Sequence, residues 1–437
     1  MRRTCPTVLV LALALLGPVA LRPDAAAARQ TVTPPPTAAR PTVLLAALAT
    51  TSTATRAADL RNRVDRALVG STARSVAVAV DVAGLGAVER RTSSTSLPPA
   101  STQKLLTCLA ALERLGPGRR ARTALVSAAP VVGGVLRGDL VLAASGDPFF
   151  SSVQLQALAT RLAGTGVRSI TGRLLVDDTR YDRLRRGAGW KASWVPDESG
   201  PLSAMALDRN AWRTDSSYLQ DPATPVLARL RSDLVKVGVA VGASYARAAS
   251  PFGSRVLVDV YGARLADVVT RVARESDNFG AELLLKELGR VGRGPGHGTA
   301  PDGSSVMHAV LGGFGVPSGT TADGSGLSSL DRQTAVGELT LLRQVEGRST
   351  YAPLRAALPV ACRTGTLQHR LCGSATAGRV AAKTGTLDTV HSLTGWTTTA
   401  DGHRVRFALL LAGFTSPTQA TAAIDRAVVV LAGARTG

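Results

Sequence analysis

Apolar residues along this chain recur with two different periods, and the switches between them outline the architecture. Over residues 57–68, Leu60, Val64, Ala67 and Leu68 return at helical spacing, and Gly70 supplies a stop. Residues 75–82 alternate Val and Ala with the two-residue period of a strand, and the glycines at 84 and 86 turn the chain into a second strand over 87–91. Pro98-Pro99 ends extended structure, and from Ser101 onward Leu105, Leu106, Leu109 and Leu112 form the apolar face of a helix. Helical spacing returns at 265–274 and 279–288. Ala400-Asp401-Gly402 between the alternating runs 391–398 and 403–411 signals a hairpin, and 419–431 reads as an apolar-faced helix.

Residues 119–261 have a different texture. Short strands at 138–143, 172–177 and 255–260 are punctuated by glycine and proline, with helical stretches at 153–162 and 224–237. The expectation is one α/β (α+β) domain made of residues 55–118 and 262–437, interrupted by a β-rich insertion, one domain or a pair, at 119–261. No internal repeat is present.

The N-terminus adds a compartment. Arg2-Arg3 precedes an apolar run over 8–16, Gly17-Pro18 breaks it, and small residues at 25–28 fit a signal peptide cleaved near Ala28. Residues 29–54, with Pro34-Pro35-Pro36, read as a linker. Export gives cysteine spacing a meaning: Cys362 and Cys372 bracket a short loop and could pair in an oxidising compartment, while Cys108 fits a buried free thiol. A formal charge of +20 favours anionic surroundings and leaves peripheral contact with a membrane surface open. The arginines are dispersed, aromatic content is only 4%, and export counts against nucleic acid. The five histidines form no close ligand pair, which argues against metal catalysis.

Of the 51 basic residues only five are lysine. Arginine stays protonated, whereas a buried lysine can act as a base, so the positions of the few lysines are informative. Ser101-Thr102-Gln103-Lys104 stacks a hydroxyl and an amine on one helical face, at a helix start that favours negative charge. Ser276-Asp277-Asn278 precedes a helix and reads either as a proton relay with a carbonyl-binding amide or as an N-capping cluster. Lys383-Thr384-Gly385-Thr386 sits at a strand end, where a glycine lets a peptide lie alongside the backbone and a cation faces its carboxylate. On this reading Lys104 is the uncharged base and Lys383 the charged anchor that keeps it so. Arg363-Thr364-Gly365-Thr366 imitates the third motif but carries arginine and lacks the following hairpin, so it reads as a decoy.

The order Ser-x-x-Lys, Ser-x-Asn, Lys-Thr-Gly resembles that of the penicillin-binding serine DD-peptidases and β-lactamases. Residues 99–107 and 275–284, Gly146-Asp147-Pro148, Asp323 to Ser328 and 378–387 extend the likeness to the three-domain D-alanyl-D-alanine carboxypeptidase/endopeptidase family, over about 55 to 435. Ser329 and the proline-free run 261–265 depart from that pattern.

The resemblance implies a core of antiparallel sheet flanked by helices. It implies an acyl-enzyme on Ser101 with Lys104 as base, and proton transfer to the leaving group through Ser276 and Lys383. Asn278 would hold the acyl-side amide and Thr384, Gly385 and Thr386 would bind the substrate's end. The oxyanion would rest on the N–H groups of Ser101 and Thr386. It further implies no cofactor, peptidoglycan stem peptides as substrates and β-lactams as covalent inhibitors. A β-lactamase or related esterase shares the motifs, but the long insertion between Ser101 and Ser276 disfavours it. A penicillin-sensing or wall-binding module is the non-enzymatic alternative, with the positive charge serving retention on anionic polymers.

Overall fold

A computed structural model describes residues 41–437 apart from Trp212, Pro295 and Ser318, with side chains from Ser52 onward except that of Arg293. The expected signal peptide and the first part of the expected linker lie outside the described residues.

An antiparallel five-stranded sheet joins the two ends of the chain. Its order is Ala381–Leu387, Val390–Thr398, Arg404–Ala412, Ser75–Val82, Gly86–Glu89. The period-two pattern of the Ser75–Val82 strand sends Val78, Val80 and Val82 to one face and Ala77 and Ala79 to the other. The valines meet Leu60 and Val64 of the first helix and Ile424 and Val428 of the Pro417–Gly433 helix. The alanines let the Ala335–Gly347 helix settle closely, through Ala335 and Leu339, against Ala408 and Leu410. Both faces are therefore covered, which explains why the central strands are almost entirely buried.

The Gln103–Leu115 helix is buried all round from Gln103 to Leu112. It packs against the helices Leu265–Arg274, Asn278–Arg293 and Ala300–Gly313 through Leu105, Leu109, Val269, Leu288 and Met307. Each such leucine contributes about 2 kcal/mol of burial, so the helix that carries Ser101 and Lys104 is firmly anchored.

Strands between 120 and 264 form two further sheets. One is mixed, in the order Tyr245–Arg247, Leu174–Asp177, Leu140–Ala143, Arg120–Ser127, Arg255–Arg264; the other has four two-residue strands. None of them joins the five-stranded sheet. The pairing of Arg120 with Arg264 carries this β-rich segment three residues past the expected boundary at 261.

One expectation needs correction. The first helix runs from Pro41 to Leu68, so the stretch 41–54 read as linker is helical. Its alanine, leucine and threonine run holds no glycine or proline after Pro41, and proline is well tolerated in a first helical turn. The Ala300–Gly313 helix forms despite three glycines, which weaken its sequence signal. Gly303 is there for contact: a Cβ at that position would lie 1.9 Å from the Leu285 carbonyl oxygen of the neighbouring helix. No helix among the described residues is long and apolar enough to cross a membrane.

Candidate active site

Three backbone segments meet at the N-terminus of the Gln103–Leu115 helix. Ser101 lies in the short turn Ala100–Thr102, where Ala100 adopts a left-handed φ of 51°. Ser276 also has a left-handed φ, 60°, immediately before the Asn278–Arg293 helix. Such conformations in non-glycine residues cost about 1–3 kcal/mol and persist only where the surroundings over-determine them. Lys383 is on the Ala381–Leu387 strand, whose flank packs on the Ser101 turn.

The hydrogen bonds join these segments into one cluster. Lys104 Nζ is 2.8 Å from Ser101 Oγ, 2.7 Å from Asn278 Oδ1 and 2.6 Å from the Ser325 carbonyl. The last two partners only accept. A neutral amine spends both its N–H groups on them and turns its lone pair to the Ser101 hydroxyl. Lys383 Nζ is 2.9 Å from Ser276 Oγ and 2.8 Å from the Thr384 carbonyl. Both lysines are fully buried.

Burial pushes both lysines toward the neutral form. Burial lowers Lys104, and the carboxylates of Asp323, Glu282 and Asp277 work against that, leaving it at about 8. Lys383 is buried as deeply with no carboxylate to support it, and the charge on Lys104 depresses it further, so it falls well below the ordinary lysine range. Lys383, read from sequence as the charged anchor, is thus pushed toward its neutral form by burial and by the neighbouring Lys104 charge.

The middle motif splits into two jobs. Asp277 caps the helix, accepting from Gly280 N at 3.0 Å, and is gripped by both nitrogens of Arg209 from the inserted segment at 2.6 and 2.5 Å. Burial opposes its charge, but the guanidinium more than offsets this and holds the carboxyl below its usual range. Ser276 and Asn278, on either side, point to the lysines. The amide nitrogen of Asn278, expected to be free for a substrate, donates to the Glu198 carbonyl at 3.0 Å. Sequence reading missed both contributions of the insert, because they span 68 and 80 positions.

It also gave no role to Ser325 in the Asp323 to Ser328 run. Glu282 Oε1 accepts from Gly324 N and Ser325 N at 3.0 and 2.8 Å, and Asp323 accepts from Ser325 N, Gly326 N, Ser328 N and Trp190 Nε1. These bonds fix the Ser325 carbonyl that takes a hydrogen from Lys104. Burial and the Asp323 charge raise the Glu282 carboxyl.

Of the third motif, Thr384 and Gly385 are buried and Thr386 is exposed. Gly385 is needed for a tighter reason than room for a peptide. A Cβ there would stand 2.1 Å from Ser392 Oγ and 3.0 Å from Ser101 N. The supposed decoy is a neighbour of the site: the turn Gly365–Leu367 brings Thr366 Oγ1 to 2.7 Å from Thr384 Oγ1, inside a loop closed by the Cys362–Cys372 disulfide. Cys108 is a buried free thiol.

Chemically, the cluster offers a hydroxyl at a helix start with an amine lone pair beside it, and a second hydroxyl–amine pair next to the first. This suits nucleophilic attack followed by delivery of a proton to a leaving group.

The chain matches the D-Ala-D-Ala carboxypeptidase 3 (S13) family over residues 60–218 and 200–434. It is 28% identical over 452 residues to a D-alanyl-D-alanine carboxypeptidase of Actinomadura sp. strain R39, covering 84% of this chain and 82% of the relative. The crystal structure of penicillin binding protein 4 from Haemophilus influenzae superposes with a TM-score of 0.75 at 22% identity, over 84% of this chain and 98% of that one. A predatory endopeptidase of Bdellovibrio bacteriovorus shares the fold at a TM-score of 0.53 and 20% identity, over 81% and 93% of the two chains.

Proposed function

Since this chain belongs to the D-Ala-D-Ala carboxypeptidase 3 (S13) family, we propose that it is an exported serine peptidase that removes the terminal D-alanine of peptidoglycan stem peptides, and opens D-alanyl cross-links, through an acyl-enzyme on Ser101. The observation that carries this reading is the contact of Lys104 Nζ with Ser101 Oγ at 2.8 Å, with the other two contacts of that amine made to groups that only accept.

In the proposed reaction Lys104 takes the Ser101 proton as Oγ attacks the carbonyl carbon of the penultimate D-alanine. The oxyanion is held by the N–H groups of Ser101 and Thr386, donors that act on charge only as it forms. Collapse breaks the C–N bond, and the departing amine receives a proton through Ser276 and the two lysines. Thr384, Gly385 and Thr386 hold the terminal carboxylate, and Asn278 holds the acyl-side amide once its own amide nitrogen exchanges the Glu198 carbonyl for substrate. Water then hydrolyses the ester and restores Ser101. β-Lactams enter by the same attack and remain as esters.

The Cys362–Cys372 disulfide suits an oxidising compartment outside the cytoplasm. The test is digestion of defined pentapeptide monomers and cross-linked dimers with mass-spectrometric readout. Loss of one alanine from monomers, scission of dimers, and absence of both in Ser101→Ala are expected. Undiminished hydrolysis by Ser101→Ala refutes the reading.

A further inference from the structure

The Ala335–Gly347 helix turns two acids toward the sheet: Glu346 pairs with Arg404 and Arg406, and Glu338 lies deeper, between two threonines. Glu338 is 1% exposed, and its two oxygens reach two different parts of the site. Oε1 lies 2.5 Å from Thr102 Oγ1, next to Ser101, and Oε2 contacts Thr394 Oγ1, whose register partner is Lys383. Thr102 Oγ1 is also 2.9 Å from the Pro99 carbonyl, which only accepts and which Ser392 Oγ approaches at 2.6 Å.

Counting protons makes the arrangement informative. Three contacts, Thr102 with Pro99, Thr102 with Glu338 and Thr394 with Glu338, each need a hydrogen, and the two hydroxyls supply only two. The third is supplied if the carboxyl is protonated: Thr394 donates to Glu338, Glu338 donates to Thr102, and Thr102 donates to Pro99. An ionised Glu338 forces Thr102 to abandon either Pro99 or the carboxylate, and a buried polar contact left unmade is costly. We propose that Glu338 is a positioning residue, a neutral carboxylic acid that clips the Ser101 turn to the strand opposite Lys383, and that its ionisation loosens the nucleophile. This rests on the reading of Ser101 as the acylated residue.

The surroundings agree. Burial drives the Glu338 carboxyl up, and hydrogen bonds from Thr102 and Thr394 bring it partly back, to about 7. On the elements packed against it the titratable groups include Lys104 on the Ser101 helix, Lys383 and His391 on the neighbouring strands, and Asp81, held by Arg90 and Arg343. Arg404 and Arg406 on the next strand are taken up by Glu346. None of these acts on Glu338 strongly enough to set its charge; burial does.

The test compares acylation rates with a fluorescent penicillin across pH 6 to 9. Glu338→Gln supplies one donor and one acceptor and cannot ionise. At pH 6 it is expected to match wild type, and above about pH 7 to become faster than wild type by a few fold to about tenfold. Glu338→Ala is expected to be about tenfold or more slower at pH 6. If glutamine does not fold, Thr102→Val serves: it cuts the same clip, so it slows acylation at pH 6, and combining it with Glu338→Ala adds nothing further. A Gln-to-wild-type ratio that stays flat with pH, a glutamine variant as slow as alanine, or additive Thr102→Val and Glu338→Ala effects overturn the inference. Wild-type protein that takes no penicillin at all contradicts the acyl-enzyme reading instead.

Discussion

Lys104→Met is expected to slow penicillin acylation by about 10³-fold and to erase its pH dependence near 8. General-base assistance contributes about 10²–10⁴ in rate, and Lys104 is the side chain hydrogen-bonded to the Ser101 hydroxyl. In wild type the base must be neutral. Because Lys104 sits at about 8, its neutral fraction climbs as pH rises toward that value and levels above it, while ionisation of Glu338 takes back part of the gain in wild-type rate. Methionine keeps the length and apolar stem of lysine, so a folded variant isolates the amine. Stopped-flow acylation from pH 6 to 10 checks both parts; a rate within tenfold of wild type would remove Lys104 from the base's role.

Lys383→Met is expected to lower the plateau rate by about 10²-fold or more and to leave the pH midpoint where it was. Burial without a carboxylate, next to the Lys104 charge, pushes Lys383 toward its neutral form. Removing it therefore takes away a proton carrier for the leaving group but no charge that Lys104 feels. Lys383→Arg behaves differently: a guanidinium stays charged, so it pushes the midpoint of Lys104 downward as well as losing the relay. If Lys383→Met raised the midpoint by a pH unit, Lys383 would be a charged anchor in the free protein, as the sequence alone suggested.

A sequence alone cannot weigh that suggestion against burial. Charge type is visible in a sequence, but solvent exposure and nearby carboxylates are not. Asp323 and Glu282 reach Lys104 from distant positions, and nothing in Lys383-Thr384-Gly385-Thr386 tells that this lysine lacks such company. Local signals were read well. The Leu265–Arg274 helix has the bounds its periodicity predicts, and the terminal strands and helix lie where alternation and spacing put them. The three motifs were legible because chemistry constrains residue type and order.

What stayed hidden depends on tertiary contact. Glu198 and Arg209 reach the second motif from the inserted segment, and Thr366 reaches Thr384 from a turn that looked like an imitation. Glu338 did leave a trace: it takes a core-facing place between Ala335, Leu339 and Leu342, where a helix ordinarily buries an apolar side chain. An acid on such a face is a signal that hydrophobic counting discards.

The most direct test of the central claim is peptide mapping after exposure of the folded protein to benzylpenicillin. One penicilloyl adduct on the peptide bearing Ser101, absent from Ser101→Ala, is the predicted result. An adduct elsewhere, or none on folded wild-type protein, would contradict it.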